Sequence, residues 1–274
     1  MTTHPNVAFI GSGNMARAII GGLLENGYPA DRIHATGTRI EKLADLQTQG
    51  LQTGTDNAAA ARKADILVLA VKPQVMKQVC EGMASAVKDK RPLIVSVAAG
   101  IGSDSLDRWL GGNNAVVRCM PNTPSQLQAG ASGLFANALV SAEQKTLTET
   151  LIGSVGLALW VEHEEQLHAV TAVSGSGPAY YFLFMEAMIA AGEKLGLSQE
   201  VARRLTLQTA LGAARMAESS NLDPAQLRRN VTSPKGTTEQ AILSFQDAGL
   251  ESIVEQAMQA CARRSQELAE LLKD

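Results

Sequence analysis

The chain has 274 residues, of which 45% are hydrophobic and 19% charged, and its formal net charge is −3 at pH 7. This composition is that of a globular protein, and it excludes a disordered chain and argues against a broad nucleic-acid-binding surface, although a local basic patch stays possible. The length is enough for two ordinary domains. We expect no nucleic-acid partner.

Cysteine and histidine usage predicts a reducing, cytoplasmic compartment and no metal site. The three cysteines are far apart and form no C-x-x-C motif, so we expect packed thiols. The four histidines lack metal-ligand spacing and are expected at the surface or at helix caps. These residues are Cys80, Cys119 and Cys261, and His4, His34, His163 and His168.

Neither a signal peptide nor a membrane span is expected. Residues 1–6 are polar and lead directly into an apolar strand, which is unlike a signal peptide. The longest apolar stretch, 179–191, contains Glu186 and is too short to cross a bilayer. We therefore predict no membrane partner.

The first predicted element is a strand at 7–10, which runs into GSGNMA at 11–16 and then into a helix. This order is typical of a dinucleotide-binding turn, in which Gly11 permits the tight turn and Gly13 lets a pyrophosphate approach the backbone. Ala16 allows close packing of helix on strand. An ordinary glycine-rich turn would explain Gly11 but not Gly13. The amides expected to face the phosphate are those of Asn14 and Met15.

The second predicted strand, 33–36, ends without the carboxylate that usually holds the ribose 2′-hydroxyl of NAD. Thr36, Thr38 and Arg39 are there instead, and hydroxyls with a guanidinium suit a 2′-phosphate. We predict NADPH as the cofactor, with NADH as the weaker alternative. In the other interpretation, Arg39 merely opens the next helix on a solvated face.

Alternating helices and strands in the first half predict a parallel, doubly wound sheet with right-handed crossovers. The further predicted helices are 41–49, 57–62, 74–87 and 142–154, the last with a capping box of Ser141 and Gln144, and the further predicted strands are 65–71, 93–97, 115–119 and 157–161. Ligands of such sheets bind at the carboxyl ends of the strands. The cofactor contacts expected there are Asn57, Ala70, Val71, Lys72, Pro73, Ala98, Ala99 and Asn122.

From about residue 164 the pattern becomes helical, with predicted helices at 178–194, 199–219 and 250–272 and another beginning at Asp223–Pro224. We therefore expect an α/β fold: an N-terminal Rossmann domain, 1–163, followed by an all-α domain, 164–274. The apolar surface of the first two helices favours dimerisation over a self-contained helical domain.

Two loops of the helical half are candidate substrate-binding segments. The first, 174–179, contains Ser176 and Gly177 and leads into a helix. The second, 231–240, ends in a predicted capping arrangement of Thr237 with Gln240. Each loop could serve capping alone, but amides and hydroxyls at a helix start also suit an anion. Together they favour a small substrate that carries a carboxylate.

Five motifs resemble the pyrroline-5-carboxylate reductase family over essentially the whole chain: GSGNMA at 11–16, AVKPQ at 70–74, MPNTP at 120–124, SGSGPAY at 174–180 and NVTSPKGTTEQAI at 230–242. The resemblance implies NAD(P)H-dependent reduction of 1-pyrroline-5-carboxylate to L-proline, the last step of proline synthesis. It also implies a homo-oligomer, either a dimer or a larger ring of dimers such as a decamer. The active site would lie between the two domains and be completed by the partner subunit.

On this resemblance, Ser233, Gly236 and Thr237 would hold the substrate carboxylate, and Thr238 would be the catalytic residue that hydrogen-bonds the ring nitrogen. Two departures from the family stand out. Lys235 replaces the first glycine of the common Ser-Pro-Gly-Gly, and its side chain could point outward or add positive charge near the carboxylate. The turn after the second strand also differs from the commoner Asn-Arg pattern.

Two competing functions remain. A 3-hydroxyacid dehydrogenase or imine reductase of related architecture would rely on a catalytic lysine, for which Lys194 is the main candidate, although it lies at the end of a helix. A non-catalytic NADP(H) sensor would not need the second loop, which is nonetheless present in full.

Overall fold

The computed structural model describes residues 4–273. They form two compact units. The first unit comprises the residues as far as Ser176 together with those from Cys261 onward, and the second unit is Gly177–Ala260.

The first unit is built on one eight-stranded sheet. Its strands are β1 (Val7–Ile10), β2 (Ile33–Thr36), β3 (Gln52–Gly54), β4 (Ile66–Leu69), β5 (Leu93–Ser96), β6 (Val116–Met120), β7 (Gly130–Ala136) and β8 (Gly156–Trp160), in the order β3-β2-β1-β4-β5-β6-β7-β8. All neighbours pair in parallel except β6 and β7. The first six strands have the Rossmann order, in which the direction of winding reverses between β1 and β4. The predicted doubly wound sheet is confirmed.

Helices cover both faces of this sheet. They are α1 (Asn14–Glu25), α2 (Ala44–Thr48), α3 (Asn57–Lys63), α4 (Pro73–Lys90), α5 (Ser103–Trp109), α6 (Ala142–Gly153) and α7 (Gln166–Val170). Side chains of β1 alternate between two cores: Phe9 packs with Ala16 of α1, whereas Ile10 packs with Ala60 of α3 and Met76 of α4. This alternation follows from the two-residue period of a strand.

The local signals of the sequence are confirmed where they are strong. The capping box is present, since Ser141 Oγ accepts from the Gln144 amide at 3.2 Å and Gln144 Oε1 accepts from the Ser141 amide at 2.9 Å. The start predicted for the helix at 41–49 is wrong. The chain first makes a 3₁₀ turn at Ile40–Leu43, and α2 begins only at Ala44.

Four strands and helices of the first unit were not predicted individually: β3, α5, β7 and α7. The sequence of β7, GASGLFA, is rich in small residues and has no clear strand pattern. The structure explains Gly133, because a Cβ atom there would lie 2.6 Å from the side chain of Val170. Small residues in β7 thus let α7 approach the sheet closely.

The second unit is helical, as predicted. It contains α8 (Gly177–Lys194), α9 (Gln199–Glu218), α10 (Pro224–Asn230), α11 (Thr237–Asp247) and the first half of α12 (Leu250–Leu271). Two of these helices have side-chain caps: Ser198 Oγ accepts from the Val201 amide, and Asp223 Oδ1 accepts from the Gln226 amide. None of the helices among residues 4–273 is both long enough and apolar enough to cross a bilayer.

The second half of α12 packs on the first unit. Nδ1 of His168 lies 2.8 Å from Oγ of Ser265, and the carbonyl oxygen of Lys273 accepts from Ser105 Oγ at 2.9 Å and from Arg108 at 2.8 Å. Leu272 packs against the core on the α4 side of the sheet. The segment 265–273 is therefore held by both polar and apolar contacts.

The cysteines follow the prediction more closely than the histidines do. Cys80 and Cys119 are buried, and burial raises the pKa of each thiol to about 12. The prediction that the histidines lie at the surface or at helix caps is wrong for His34, which is a partly buried residue of β2, whereas His168 is partly buried in the last turn of α7. Burial lowers the pKa of both imidazoles.

Candidate active site

The turn after β1 requires glycine at its first position. Gly11 has a φ of +94°, and a Cβ atom there would lie 2.9 Å from both the Ala70 carbonyl oxygen and Cγ1 of Val71. Conformation and space therefore both exclude other residues. Gly13 differs, because no atom lies within 4 Å of the position of its missing Cβ. The protein's own packing gives no reason for this second glycine, and the open space is what an approaching ligand needs.

The start of α1 leaves its amides without a side-chain cap. Gly13 is the N-cap residue, and it has no side chain to accept from the first-turn amides. The unsatisfied N–H groups and the positive end of the helix dipole together form an anion-binding site. Asn14 and Met15 lie in this first turn, as predicted.

A cavity of about 460 Å³, which we call the cofactor cavity, lies beside this turn at the carboxyl ends of the strands. Five of the predicted cofactor residues line it: Gly11, Thr36, Thr38, Asn57 and Val71. An apolar wall comes from α4, including Val75, Val79 and Met83. The predicted residues outside its lining are Gly13, Asn14, Met15, Arg39, Ala70, Lys72, Pro73, Ala98, Ala99 and Asn122.

Thr36 is fully buried, so its hydroxyl serves the protein's own structure. The Oγ1 atom accepts from the Gly11 amide at 3.4 Å and lies 2.7 Å from Oδ1 of Asn57 and 3.2 Å from the carbonyl oxygen of Phe9. These contacts join the glycine turn, β1 and the start of α3. Thr36 therefore acts as a positioning residue, and its side chain is not exposed toward a 2′-phosphate.

Thr38 and Arg39 are the exposed groups that follow β2. Arg39 makes no ion pair with any of the residues 4–273, so its guanidinium is available to a phosphate. By contrast, Arg17 is engaged by the carboxylate of Asp45. This difference makes Arg39 the better candidate for the 2′-phosphate.

Asp56 also lines the cofactor cavity, and sequence reasoning missed it. Its Oδ1 accepts from the Ala59 amide at 3.0 Å, which makes it the N-cap of α3. An Asp directly before an alanine-rich helix is a capping signal that could have identified it. The carboxylate of Asp56 follows β3, so the end of β2 itself still carries no acidic residue.

Asn122 is buried, and its side chain makes two internal hydrogen bonds. Nδ2 donates to the Ser174 carbonyl at 3.0 Å, and Oδ1 accepts from the Ala131 amide at 2.9 Å. These bonds connect the end of β6 with β7 and with the segment before α8. The side chain therefore holds this region together. Ala98 is buried as well and packs in the core on the α4 side of the sheet.

The prediction of a loop at 174–179 is wrong, because most of this segment is helical. Thr171–Gly175 is a single π-helical turn, and α8 begins at Gly177. A Cβ atom at Gly175 would lie 2.5 Å from Cε of Met120, so a larger residue there would require this flexible side chain to move. Such turns are often found at functional sites. Ser176 lies between the two helical segments, and its Oγ accepts from Cys261 Sγ at 3.3 Å.

In the second unit, a tight turn precedes α11. The Ser233 carbonyl accepts from the Gly236 amide at 3.0 Å, Pro234 is the second residue of the turn, and Lys235 has a φ of +59°. This is the geometry of a type II turn, which normally has glycine at the third position. A Cβ atom at Gly236 would lie 2.9 Å from the Ser233 carbonyl oxygen, which explains this glycine.

The capping box predicted for Thr237 and Gln240 is wrong. Gly236 is the N-cap of α11, and Thr237 is the first helical residue. Glu239 accepts from the Lys235 amide at 2.7 Å, so the acidic side chain braces the turn from inside the helix. Neither Thr237 nor Thr238 uses its hydroxyl in a hydrogen bond within the described part of the chain, and both side chains are exposed.

Helices α1 and α11 both begin after a glycine and differ in this from the helices that a side chain caps. The N-caps of α2, α4 and α7 also make no side-chain hydrogen bond, but they are not glycines. Ser141, Ser198 and Asp223 cap α6, α9 and α10 with side-chain oxygens. The glycine N-cap of α5 is compensated by Glu164, whose Oε1 accepts from the Ser103 amide at 2.7 Å. Helices α1 and α11 begin after a glycine, and their N-caps make no side-chain hydrogen bond. Each therefore offers its first-turn amides to an anionic ligand.

Comparison with known proteins places these features in a family. The family model described as pyrroline-5-carboxylate reductase dimerisation matches residues 164–268, and that described as NADP oxidoreductase, coenzyme F420-dependent, matches residues 6–100. Pyrroline-5-carboxylate reductase of Pseudomonas aeruginosa is 58% identical over 269 residues, which cover 98% of each chain. This chain belongs to the pyrroline-5-carboxylate reductase family.

Solved pyrroline-5-carboxylate reductases have the same fold. The structure from Coxiella burnetii is 46% identical, with a TM-score of 0.95 over 97% of this chain and 99% of that one. The structure of the Plasmodium falciparum enzyme, solved with NADP bound, is 29% identical, with a TM-score of 0.85 over 97% and 98% of the two chains. The Rossmann fold followed by a helical dimerisation domain, expected from the sequence, is thus confirmed.

The boundary of the dimerisation domain depends on the criterion. The pyrroline-5-carboxylate reductase family model begins at residue 164, as in the predicted division into 1–163 and 164–274. The compact units divide instead between Ser176 and Gly177, because α7 packs on the sheet, where Val170 lies against Gly133. The end of α12 also belongs to the first unit.

Proposed function

We propose that this reductase converts 1-pyrroline-5-carboxylate to L-proline with NADPH as its preferred coenzyme. The observation that carries the proposal is the pair of glycine-initiated helices, α1 and α11, whose first-turn amides lack side-chain caps. One anion site suits a coenzyme pyrophosphate, and the other suits a small carboxylate. Membership of the family supplies the substrate.

The residues around the glycine turn fit a dinucleotide. Gly13 leaves open space above the turn, and the cofactor cavity of about 460 Å³ continues from it between Thr38, Asn57 and the apolar wall of α4. When bound there, the coenzyme supplies a hydride. Arg39 and Thr38 would hold the 2′-phosphate, and the NADP in the Plasmodium falciparum relative supports this preference.

The substrate carboxylate would be held at the start of α11. The first-turn amides of Thr237 and Thr238 point away from the helix, and the Ser233 hydroxyl is in the turn just before them. Ser176 and Gly177, at the start of α8, are proposed as further substrate contacts. Holding the carboxylate fixes the orientation of the ring, and positioning of this kind lowers the barrier to transfer.

Thr238 is proposed as the catalytic residue. The protonated substrate is an iminium, which accepts a hydride readily, so the protein's task is orientation more than activation. The Thr238 hydroxyl would accept a hydrogen bond from the iminium N–H and keep the ring nitrogen in place as it becomes an amine. Proton delivery by water or by the substrate itself suffices for this scheme.

The first experiment measures the decrease in NADPH absorbance at saturating 1-pyrroline-5-carboxylate and identifies proline as the product. The same assay is then repeated with NADH. Faster turnover at lower KM with NADPH is expected. If NADH were the better coenzyme, the role given to Arg39 would be wrong while the reaction stood. Binding of both coenzymes without turnover would overturn the proposed reaction.

A substitution at Thr238 tests the catalytic assignment. Thr238→Ala is expected to lower kcat about 100-fold, because the hydrogen bond to the ring nitrogen is lost at the reacting centre. Thr238→Ser keeps the hydroxyl and should retain most of the activity. Coenzyme titration should give the same Kd for all three proteins. Equal losses of turnover and coenzyme affinity in Thr238→Ala would contradict the assignment.

We further propose that the enzyme is a homo-oligomer, either a dimer or a larger ring of dimers, and that it acts in the cytoplasm. The dimerisation family model and the exposed apolar side chains of the second unit support the dimer. Two buried, unpaired thiols are consistent with a reducing compartment.

A further inference from the structure

A second cavity, which we call the basal cavity, lies at the amino ends of the strands, at the opposite end of the sheet from the glycine turn. Its volume is about 350 Å³. The polar side chains in its lining are Asn6, Arg32, His34, Gln52 and Lys63. Alanines of β1, α3 and the residue after α3 complete the wall. None of the residues assigned to coenzyme or substrate lines it.

His34 in this cavity has no hydrogen-bond partner. Both ring nitrogens are shielded and unpaired within residues 4–273. The residue lies in β2, opposite Ala8 of β1 and Gln52 of β3. Buried polar nitrogens are almost always paired in native proteins, so an unpaired imidazole beside a cavity is a group whose hydrogen-bonding capacity a ligand would satisfy.

The charge of the lining favours an anion. Arg32 and Lys63 contribute two positive charges, and the lining contains no carboxylate. The nearby Asp65 is already engaged, since its oxygens accept from Lys90 at 2.8 Å and from the Asn6 amide at 2.9 Å. Burial and the neighbouring Lys63 lower the pKa of His34, as expected for a shielded imidazole next to a positive charge.

We propose that the basal cavity is a binding site for a small phosphate monoester. Arg32 and Lys63 would pair with the phosphate oxygens, and a small rotation of the His34 ring would let a ring nitrogen donate to the same group. The volume falls in the range of small-molecule sites and exceeds what inorganic phosphate fills. The alanine wall would take the organic part.

The test uses glycerol 2-phosphate as the probe and enzyme saturated with NADPH, so that the phosphate sites of the coenzyme are filled. Histidines carry a ¹³C label at Cε1, and the His34 signal is identified by its loss in His34→Gln. Titration should shift this signal saturably and raise its pH midpoint, because a bound anion stabilises the imidazolium. Inorganic phosphate should bind more weakly, and glycerol at equal ionic strength should have no effect.

The variants decide whether the effect belongs to the basal cavity. The double variant Arg32→Gln, Lys63→Gln changes two exposed side chains and should bind the probe at least tenfold more weakly. Lys88→Gln, which removes an exposed charge elsewhere on the first unit, should bind as the wild type does. An unmoved His34 signal, or equal binding by the double variant, would overturn the proposal. Because coenzyme turnover is not measured, failure here leaves the proposed reaction unaffected.

Discussion

Lys235 occupies the position of the turn before α11 at which glycine is normally favoured. Its φ of +59° places the Cβ atom of an L-residue close to the following carbonyl oxygen. The side chain is exposed, and only the backbone amide is used, by Glu239. Of the two alternatives drawn from the sequence, an outward side chain agrees with this exposure. The turn keeps its shape despite the lysine because Pro234 and the Ser233–Gly236 hydrogen bond enforce it.

Lys235→Gly should therefore raise the free energy of unfolding by about 1 kcal/mol, because glycine adopts this conformation without strain. Urea unfolding at one fixed protein concentration measures the change. Lys235→Ala removes the charge but keeps the strained Cβ, so it should give no gain. Lys88→Gly, a substitution within α4, should lower the free energy of unfolding by about 1 kcal/mol. A gain in Lys235→Ala as large as in Lys235→Gly would show that charge, and not backbone strain, is the cause.

At the scale of secondary-structure elements, Arg17 ties α1 to the segment that carries Arg39. Its Nε donates to the Ser12 carbonyl at 3.0 Å, and Nη2 donates to the Lys42 carbonyl at 2.7 Å. The guanidinium also pairs with Asp45, and this hydrogen bond lowers the pKa of the carboxyl. The glycine turn and the chain after β2 are thus held together by one side chain.

Arg17→Met should raise the KM for NADPH roughly fivefold. The KM for NADH should rise by a smaller factor. The reasons are that the segment with Arg39 loses its anchor and that Asp45 becomes an unpaired negative charge near the 2′-phosphate. Adding Asp45→Asn should restore part of the preference for NADPH. Steady-state kinetics with both coenzymes give the comparison. Equal increases for NADPH and NADH would mean that Arg17 supports the fold in general and not coenzyme selection.

The end of α12 contacts a histidine whose pKa is lowered in the folded state. His168 contacts Ser265, and burial together with Arg118 lowers the pKa of His168, although Glu165 and Glu164 oppose the shift. In the unfolded chain the pKa of a histidine is about 6.5. The unfolded state therefore binds a proton more readily, and stability is greatest above this pH and falls as the pH drops below it.

His168→Gln should weaken this loss of stability between pH 7.5 and pH 5, because one of the two histidines with a lowered pKa is removed. His34 should supply the remaining pH dependence. Urea unfolding across this range measures the slope. His163→Gln, at an exposed position, should behave like the wild type. An unchanged slope in His168→Gln would show that the docking of α12 is insensitive to this proton.

At the scale of the whole molecule, the second unit exposes many large apolar side chains. Phe182, Leu183, Leu205 and Met216 are each more than half exposed in the single chain. Apolar surface of this kind usually marks an interface. The proposed homodimer would cover it, and the stability of the second unit should then depend on protein concentration.

Leu205→Glu should shift the enzyme toward the monomer, because burying a charge in an apolar interface is costly. Leu205 is 57% exposed in the single chain, so the substitution should not unfold it. Leu127→Glu is the matched control, since this residue is 84% exposed in the first unit. Sedimentation at several dilutions distinguishes the species. The same mass for wild type and Leu205→Glu would exclude this face from the interface.

Much of the fold was predictable because its signals are local. The order of strand, glycine turn and helix at the start, the buried strand β4, and the caps at Ser141, Ser198 and Asp223 all depend on residues a few positions apart. Periodicity of two or 3.6 residues and side-chain-to-amide bonds three residues apart carry this information. The motif at 230–242 likewise identified the loop before α11 as the candidate substrate site.

What only the tertiary structure decided concerns residues distant in the chain. Asn122 bonds to a carbonyl 52 positions away, and Glu164 caps a helix 61 positions away. Thr36 is buried because Asn57 and Phe9 close around it. Local sequence by itself indicated most of the strands and helices and the glycine turn that is proposed to bind a phosphate. Packing decided which of the polar groups remain free for a ligand, because a hydroxyl or amide is available only when no distant partner reaches it.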